Sequence, residues 1–127
     1  MKLYLVQHAQ AKDKSEDPAR PLSQTGRKDI YKVASFLVGQ AGAEVDRIIH
    51  SGKTRARETA EALATALRPE NGVEQSDGLA PLDDPAIWTG RLLEIREDVM
   101  LVGHLPHMSR LASLLLAKAG STDSLSS

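Results

Sequence analysis

Short apolar segments alternate along the chain with longer stretches in which apolar residues recur every three or four positions. The short segments predict strands, and the longer stretches predict amphipathic helices. Ser23 is a suitable N-cap for the first helix, and Pro106 suits the first turn of the last helix. Strands are expected at residues 3–6, 45–49, 72–75 and 99–102, and helices at about 23–41, 54–67, 86–97 and from 106 onward.

This alternation of strands and helices predicts an α/β fold. We expect a three-layer α/β/α sandwich, in which helices cover both faces of a mostly parallel central sheet. The chain has 127 residues, a length that fits one domain, and neither a repeat nor a linker divides it. Residues 1–120 are expected to form this domain. The small, polar segment 121–127 is expected to be a flexible tail.

Composition narrows the range of possible functions. The formal net charge is −1 and aromatic residues make up 3% of the chain, so neither nucleic acid nor a membrane is an expected partner. The sequence contains no cysteine, which excludes disulfides, thiolate catalysis and zinc-thiolate sites. Residues 1–6 lack the basic segment and long apolar run of a signal peptide, and no apolar stretch approaches the ~20 residues of a membrane span. We expect a cytoplasmic protein that acts as a monomer.

Side chains suited to phosphate follow three of the predicted strands. His8 follows the first strand and His104 follows the last. Ser51 and then Arg55 follow the second. The carboxyl ends of parallel strands meet at one edge of a sheet, where ligands bind. Helix N-termini at that edge favour anions, a guanidinium binds two phosphate oxygens, and an imidazole can carry a phosphoryl group. Together these residues predict a site for phosphoryl transfer.

Five segments resemble the motifs of one enzyme family, in the family's order. They are Leu5-Val6-Gln7-His8-Ala9, Arg20-Pro21-Leu22-Ser23-Gln24-Thr25-Gly26, Ser51-Gly52-Lys53-Thr54-Arg55-Ala56-Arg57-Glu58-Thr59-Ala60, Leu79-Ala80-Pro81-Leu82-Asp83-Asp84 and Val102-Gly103-His104. The first, third and fifth resemble the histidine phosphatase superfamily, whose fold is phosphoglycerate-mutase-like. The second and fourth are similar to segments of its short SixA-type phosphohistidine phosphatases. The resemblance covers residues 1 to about 116.

The resemblance implies a role for each candidate residue. His8 would be the nucleophile that becomes phosphorylated. Arg55 and His104 would hold the phosphoryl oxygens and stabilise charge in the transition state. Ser51 would support the start of its helix at the phosphate site, and Arg20 would lie at the mouth of the pocket. The family needs no metal and no other cofactor, so we expect none.

Two positions depart from the family's Arg-His-Gly motif. Gln7 stands where the family has Arg, and Ala9 where it has Gly. Gln7 can still donate a hydrogen bond to phosphate, but a charge-assisted bond is roughly twice as strong. Ala9 matters only if its backbone needs a positive φ. We expect slow catalysis unless Arg20 or Lys53 compensates for the missing charge.

The resemblance implies a phosphohistidine phosphatase that acts on a phosphorylated protein through a phosphohistidine enzyme intermediate. The sequence has no long insertion that would form a lid, and an open site suits a phosphorylated side chain. Two alternatives stay open. One is a phosphatase for a small phosphate ester. The other, because Gln7 replaces Arg, is a domain that binds phosphate without catalysis.

A few other residues have a structural interpretation beside a functional one. Asp83 or Asp84 could donate a proton to a leaving group, although we narrowly prefer that they cap the following helix. His107 is either a pocket-rim residue or a surface residue. We expect structural roles for His50, which ends its strand, and for Trp88, which lies on a helix.

Overall fold

The computed structural model describes residues 1–126, with side-chain surroundings described up to residue 117. Strands and helices alternate from the N-terminus, as the sequence predicts. In chain order they are β1 (Leu3–Gln7), α1 (Gln24–Gly39), β2 (Arg47–His50), α2 (Thr54–Leu67), β3 (Val73–Gln75), α3 (Ala86–Leu92), β4 (Val99–Gly103) and α4 (His107–Ser126).

The four strands form one parallel sheet in the order β1-β4-β2-β3. β4 is an inner strand, and all five of its residues are buried. Its continuous apolar sequence is typical of a strand that is covered by side chains on both faces. β1 lies at one edge of the sheet and is only partly buried, because no strand covers its outer side. The unbroken apolar run of residues 3–6 would suit a strand buried on both faces, and the structure shows instead a partly buried edge strand.

The sheet separates two apolar cores, because successive residues of a strand face opposite sides. Met100 and Val102 of β4 belong to the core beneath α1 and α2, together with Ile48 of β2. Val99 and Leu101 belong to the core beneath α3 and α4. The predicted three-layer α/β/α sandwich with a parallel central sheet is confirmed.

The direction in which the chain crosses the sheet reverses before β4. α1 and α2 carry the chain from β1 to β2 and on to β3 across one face, whereas α3 returns it to β4 across the other face. β4 therefore lies between β1 and β2. The helices that follow those two strands, α1 and α2, cover one face of the sheet, and the helix that follows β4, α4, covers the other face. In open α/β sheets, ligands bind beyond the carboxyl ends of the strands at such a reversal.

Helix α3 is shorter than the sequence pattern predicts. It ends at Leu92 instead of about residue 97. The N–H groups of Leu93, Glu94 and Ile95 bond to carbonyls three residues back, so the chain tightens into turns of the 3₁₀ kind. Ile95 still packs against the core of this face, so burial of the apolar stripe does not need the regular helix.

Helix α4 runs from His107 to Ser126. Neither it nor any other helix in the described part of the chain has the length and apolar character of a membrane span. The predicted tail, 121–127, overlaps the last turns of α4, where side chains lie outside the described set, and its final residue lies outside the described residues altogether. Flexibility of this segment stays a prediction.

Candidate active site

The carboxyl ends of β1, β2 and β4 bring three of the predicted site residues together. The imidazole rings of His8 and His104 have centroids 5.0 Å apart and are tilted by 56°. Ser51 Oγ lies 2.6 Å from His104 Nε2. The register of the sheet explains this convergence. Gln7 of β1 pairs with Gly103 of β4, and His8 and His104 are the residues that immediately follow them.

Backbone contacts fix the position of His8 and determine which nitrogen of its imidazole carries the proton. Its main-chain N–H donates to the carbonyl of Gly103 at 2.9 Å, and its Nδ1 lies 2.7 Å from the carbonyl oxygen of Ala9. A carbonyl only accepts hydrogen bonds, so Nδ1 carries the proton and Nε2 keeps a free lone pair when the ring is neutral. Burial lowers the pKa of His8; the bond to Ala9 raises it, and the charges of Arg55 and Arg20 lower it further. His8 is therefore suited to act as a neutral nucleophile.

His104 bonds to the Ser51 hydroxyl through Nε2. The N–H of Lys53 donates to Ser51 Oγ at 3.3 Å, and because a hydroxyl has one hydrogen and two lone pairs, Ser51 is able to donate to Nε2 or to accept from it. Nδ1 of His104 is a buried atom with no hydrogen-bond partner among the described residues. Burial lowers the pKa of His104 to about 3, assisted by the charges of Arg55, His8, Lys53 and His107.

Positive charges gather at this edge of the sheet. Arg55 lies in the first turn of α2, and its buried Nε has no hydrogen-bond partner in the described part of the chain. Burial lowers the pKa of Arg55, and so does the charge of Arg20. Arg20 has a positive φ of 49°, and its Nε donates to the carbonyl of Lys12 at 3.1 Å. We call Arg20, Lys53 and Arg55 the cationic cluster. With the N-terminus of α2 it forms an environment suited to a phosphoryl group.

Gln7 is the last residue of β1, and its side chain is exposed. It lies beside Gly103 in the sheet and immediately precedes His8. The structure therefore places it at the edge of the site, while its contact with phosphate stays a prediction.

Asp83 and Asp84, the two candidate proton donors, each accept a hydrogen bond from a backbone N–H through one carboxylate oxygen. Asp83 accepts from the N–H of Ala80 at 2.9 Å, and Asp84 accepts from the N–H of Ala86 at 2.9 Å. The bond of Asp84 engages the first N–H of α3, but the N-cap position is Pro85 and carries no side-chain cap bond. Neither aspartate therefore caps the helix from the N-cap position, and a role as proton donor stays a prediction.

The remaining histidines and Trp88 are all buried. His50 is buried, and its Nδ1 accepts from the N–H of Gly52 at 3.0 Å. Trp88 is buried in the core beneath α3 and α4. His107 is completely buried, so the surface interpretation of this residue is wrong. Burial lowers the pKa of His107, and the nearby Asp83 carboxylate and a backbone contact with Gly78 offset only part of this effect. The loop that carries those two groups covers the start of α4, which a sequence pattern does not reveal.

Thr59 is a site residue that the sequence reasoning missed. It is completely buried. Its Oγ1 accepts from the N–H of Ala9 at 3.0 Å and donates to the carbonyl of Arg55 at 2.7 Å. The hydroxyl thus joins the segment that carries His8 to the helix turn that carries Arg55. Its place in the third quoted motif was the only available signal.

No three or more His, Cys, Asp and Glu side chains are grouped as metal ligands within the described residues. Two neutral imidazoles, a guanidinium and a helix N-terminus are the kinds of group that bind and transfer a phosphoryl group. Independence from metals stays a prediction.

Comparison with known proteins identifies the family. Residues 3–104 match the histidine phosphatase superfamily (branch 1). The chain belongs to this superfamily. The match includes His8, Arg55 and His104 and confirms the resemblance seen in the motifs. The chain is accordingly a phosphatase, a hydrolase.

Relatives and solved structures support the SixA-type branch. Phosphohistidine phosphatase SixA of Escherichia coli (strain K12) is 27% identical over 120 residues, which cover 91% of this chain and 74% of the relative. An uncharacterised protein of Picosynechococcus sp. is 38% identical over 124 residues, with 91% and 73% coverage. The structure of the protein histidine phosphatase SixA complexed with tungstate matches with a TM-score of 0.79 and 26% identity, over 89% of this chain and 75% of that chain.

The fold is shared more widely than the substrate. A mycobacterial glucosyl-3-phosphoglycerate phosphatase has a TM-score of 0.69 at 17% identity, over 91% of this chain and 79% of that chain. Similarity of fold alone does not choose between a phosphoprotein and a small phosphate ester.

We predict that stability falls between pH 7 and pH 5 because of His104. Its pKa is about 3 in the folded protein against an ordinary 6.5, so in this interval the unfolded chain binds a proton that the folded chain does not. The free energy of unfolding therefore decreases as the pH falls, by about 2 kcal/mol for this residue. Urea unfolding at both pH values measures the effect. The decrease should be smaller in His104→Gln than in the wild type, and an equal decrease in both would contradict the assignment.

Proposed function

We propose that this chain hydrolyses phosphohistidine side chains on proteins through a phosphorylated His8. The observation that carries the proposal is the hydrogen bond from His8 Nδ1 to the Ala9 carbonyl, which leaves Nε2 with a free lone pair beside His104 and the cationic cluster. The names of the SixA relatives support phosphohistidine as the substrate class.

In the first step, the lone pair of His8 Nε2 attacks the phosphorus atom of the substrate. The bond from Nε2 to phosphorus forms as the P–N bond of the substrate breaks, and the electron pair of the broken bond goes to the leaving nitrogen. When the other ring nitrogen of the substrate histidine carries a proton, the imidazole leaves as a neutral molecule. This step then needs no strong acid from the protein.

In the second step, water attacks the phosphorylated His8. An O–P bond forms, the P–Nε2 bond breaks, and its electron pair returns to Nε2 while the proton of the water leaves with phosphate or passes to solvent. In both steps the charge on the phosphoryl oxygens is met by the Arg55 guanidinium, the His104 imidazole and the N-terminus of α2. Donors already in place stabilise this charge without reorganisation.

The backbone bonds of the two acid candidates support a P–N substrate over a phosphate ester. An ester leaves as an alkoxide and makes a greater demand on a proton donor. Asp83 and Asp84, the acid candidates, are engaged with backbone N–H groups. A labile P–N bond is therefore the better match to this site.

Accessibility supports a macromolecular substrate. The side chain of His8 is partly exposed, and Lys53 beside the site is exposed. A histidine that projects from a folded protein needs such an open approach, since its phosphoryl group must reach Nε2 while the rest of the protein stays outside.

The decisive experiment for the proposal uses two substrates and one variant. We expect the wild type to hydrolyse a protein phosphorylated on histidine with phosphoramidate, in the presence of a strong chelator, at a higher kcat/KM than para-nitrophenyl phosphate. His8→Ala should abolish turnover of both and the phosphoenzyme, because Nε2 is absent. Mass spectrometry of the trapped wild type should locate the phosphoryl group on His8. Turnover by His8→Ala contradicts the nucleophile. Preference for the ester favours the alternative substrate, and metal-dependent activity contradicts the metal-free mechanism.

Arg55→Ala should lower kcat/KM by a hundredfold or more. Loss of one preorganised donor at developing charge costs about 3 kcal/mol. The matched control is Arg57→Ala, two residues along the same helix, where the side chain is exposed and pairs with Glu61 at 2.9 Å. The control should stay within about twofold of the wild type, because an exposed i,i+4 pair contributes little. Similar losses in both variants would mean that the effect arises from α2 in general and not from contact with phosphate.

Gln7→Arg should raise turnover or phosphate affinity. A charged donor in place of a neutral one contributes about 1–2 kcal/mol when its geometry fits, or roughly fivefold to thirtyfold. The exposure of position 7 keeps the desolvation cost of the new charge small. Because the new Arg would add to the cationic cluster, the variant is also tested in an Arg20→Ala background. If neither variant improves on its own Gln7 parent, position 7 does not face phosphate. Phosphate binding by the wild type without turnover, together with turnover by Gln7→Arg, would favour the non-catalytic alternative.

A further inference from the structure

The Thr59 hydroxyl is the one buried side-chain group in the described structure that bonds both to the backbone next to His8 and to the backbone of Arg55. We propose that Thr59 is a positioning residue for the nucleophile: it holds the Ala9 segment so that the Ala9 carbonyl keeps the proton of His8 on Nδ1. This inference rests on the proposed function, in which His8 Nε2 attacks phosphorus.

The donor and the acceptor are fixed in both hydrogen bonds of the Thr59 hydroxyl. Its single hydrogen goes to the carbonyl of Arg55, which only accepts, and its lone pair receives the N–H of Ala9, which only donates. Thr59 is completely buried on α2, so the rigid helix backbone sets the position of its oxygen. The N–H of Ala9 is thereby fixed relative to α2.

The backbone is also held on the far side of the Ala9 carbonyl. The carbonyl of Gln10 accepts from the N–H of Ser23 at 2.9 Å. The carbonyl of Ala9 lies between these two anchors, and it is the group that accepts from His8 Nδ1. Removing the Thr59 anchor leaves a part-buried Ala9 N–H without its partner and lets the Ala9 carbonyl turn away from the ring. Nδ1 and Nε2 then compete for the proton, and the fraction of His8 with a free Nε2 lone pair decreases.

A purely local role for the hydroxyl is the opposing interpretation. Threonines in helices often bond to the carbonyl four residues back, and Thr65 of α2 does so with Glu61 at 3.1 Å. Thr65 is exposed and bonds to no residue of the Ala9 segment. Thr65→Val therefore removes the same kind of helix bond and leaves the nucleophile segment intact, which makes it the matched control.

The experiment compares Thr59→Val, Thr59→Ser and Thr65→Val. Valine keeps the shape of threonine without its hydroxyl, whereas serine keeps the hydroxyl. We expect Thr59→Val to slow phosphoenzyme formation from phosphoramidate, in single-turnover measurements, by about tenfold to hundredfold, the usual effect of a misplaced reacting group. Tungstate affinity should change by less than about threefold, because the cationic cluster is untouched. Thr59→Ser should recover most of the rate, and Thr65→Val should equal the wild type.

Nitrogen-15 NMR of the imidazoles provides a readout that a merely structural role would leave unchanged. In the wild type, His8 should show the tautomer protonated on Nδ1. In Thr59→Val, His8 should show both tautomers, while the signals of His50 serve as an internal reference.

Three outcomes would overturn the inference. They are a wild-type rate in Thr59→Val, an unchanged His8 tautomer in that variant, or a Thr59→Ser variant as slow as Thr59→Val. If Thr59→Val does not fold, Thr59→Ser and Thr59→Ala are compared in the same way, and equal rates in the two would overturn it. Failure of the proposed function is distinguishable from these outcomes, because it shows without any Thr59 variant: either the wild type forms no phosphoenzyme on His8, or His8→Ala retains turnover.

Discussion

The insertion of β4 between β1 and β2 is the constraint on which the site depends. Its buried residues contribute to both cores and pair on one side with β1 and on the other with β2. Because Gln7 pairs with Gly103 and His50 with Val102, the chain leaves all three strands at nearly the same level. The hydrogen-bond ladder of the sheet thus sets the height of His8 and His104, and small backbone contacts determine only their orientation.

Burial and positive charge act in the same direction on the two imidazoles. Each lowers the pKa, so both rings are uncharged at neutral pH. An uncharged imidazole offers one lone pair and one N–H, and its neighbour decides which nitrogen has which. The Ala9 carbonyl gives His8 a free Nε2, whereas Nε2 of His104 bonds to the Ser51 hydroxyl. The same ring nitrogen is therefore free in one histidine and engaged in the other, so of these two rings only His8 presents a free Nε2 lone pair at this edge of the sheet.

The order of elements and the meeting of the two histidines could be predicted, because they follow from apolar periodicity and from the geometry of parallel sheets. The helix expected at residues 54–67 from the spacing of its apolar residues has the same bounds as α2 in the structure. The bond between Thr59 and Ala9 could not be predicted, since it joins residues 50 positions apart and one partner is a backbone N–H, which every residue except proline has. The end of α3 was misplaced because its apolar stripe continues through turns that bury the same side chains.

The cationic cluster also carries an electrostatic cost. The charge of Arg20 lowers the pKa of Arg55, which means that the two guanidinium groups repel each other. Under the proposed function, the fold gives up stability here to obtain affinity for phosphate, a common compromise in enzymes. The residue at position 7 bears on this repulsion. Gln7 is neutral where the family has Arg, so it adds no further positive charge to the edge of the sheet that carries the cationic cluster, and the repulsion between the guanidinium groups is smaller than a third arginine would make it.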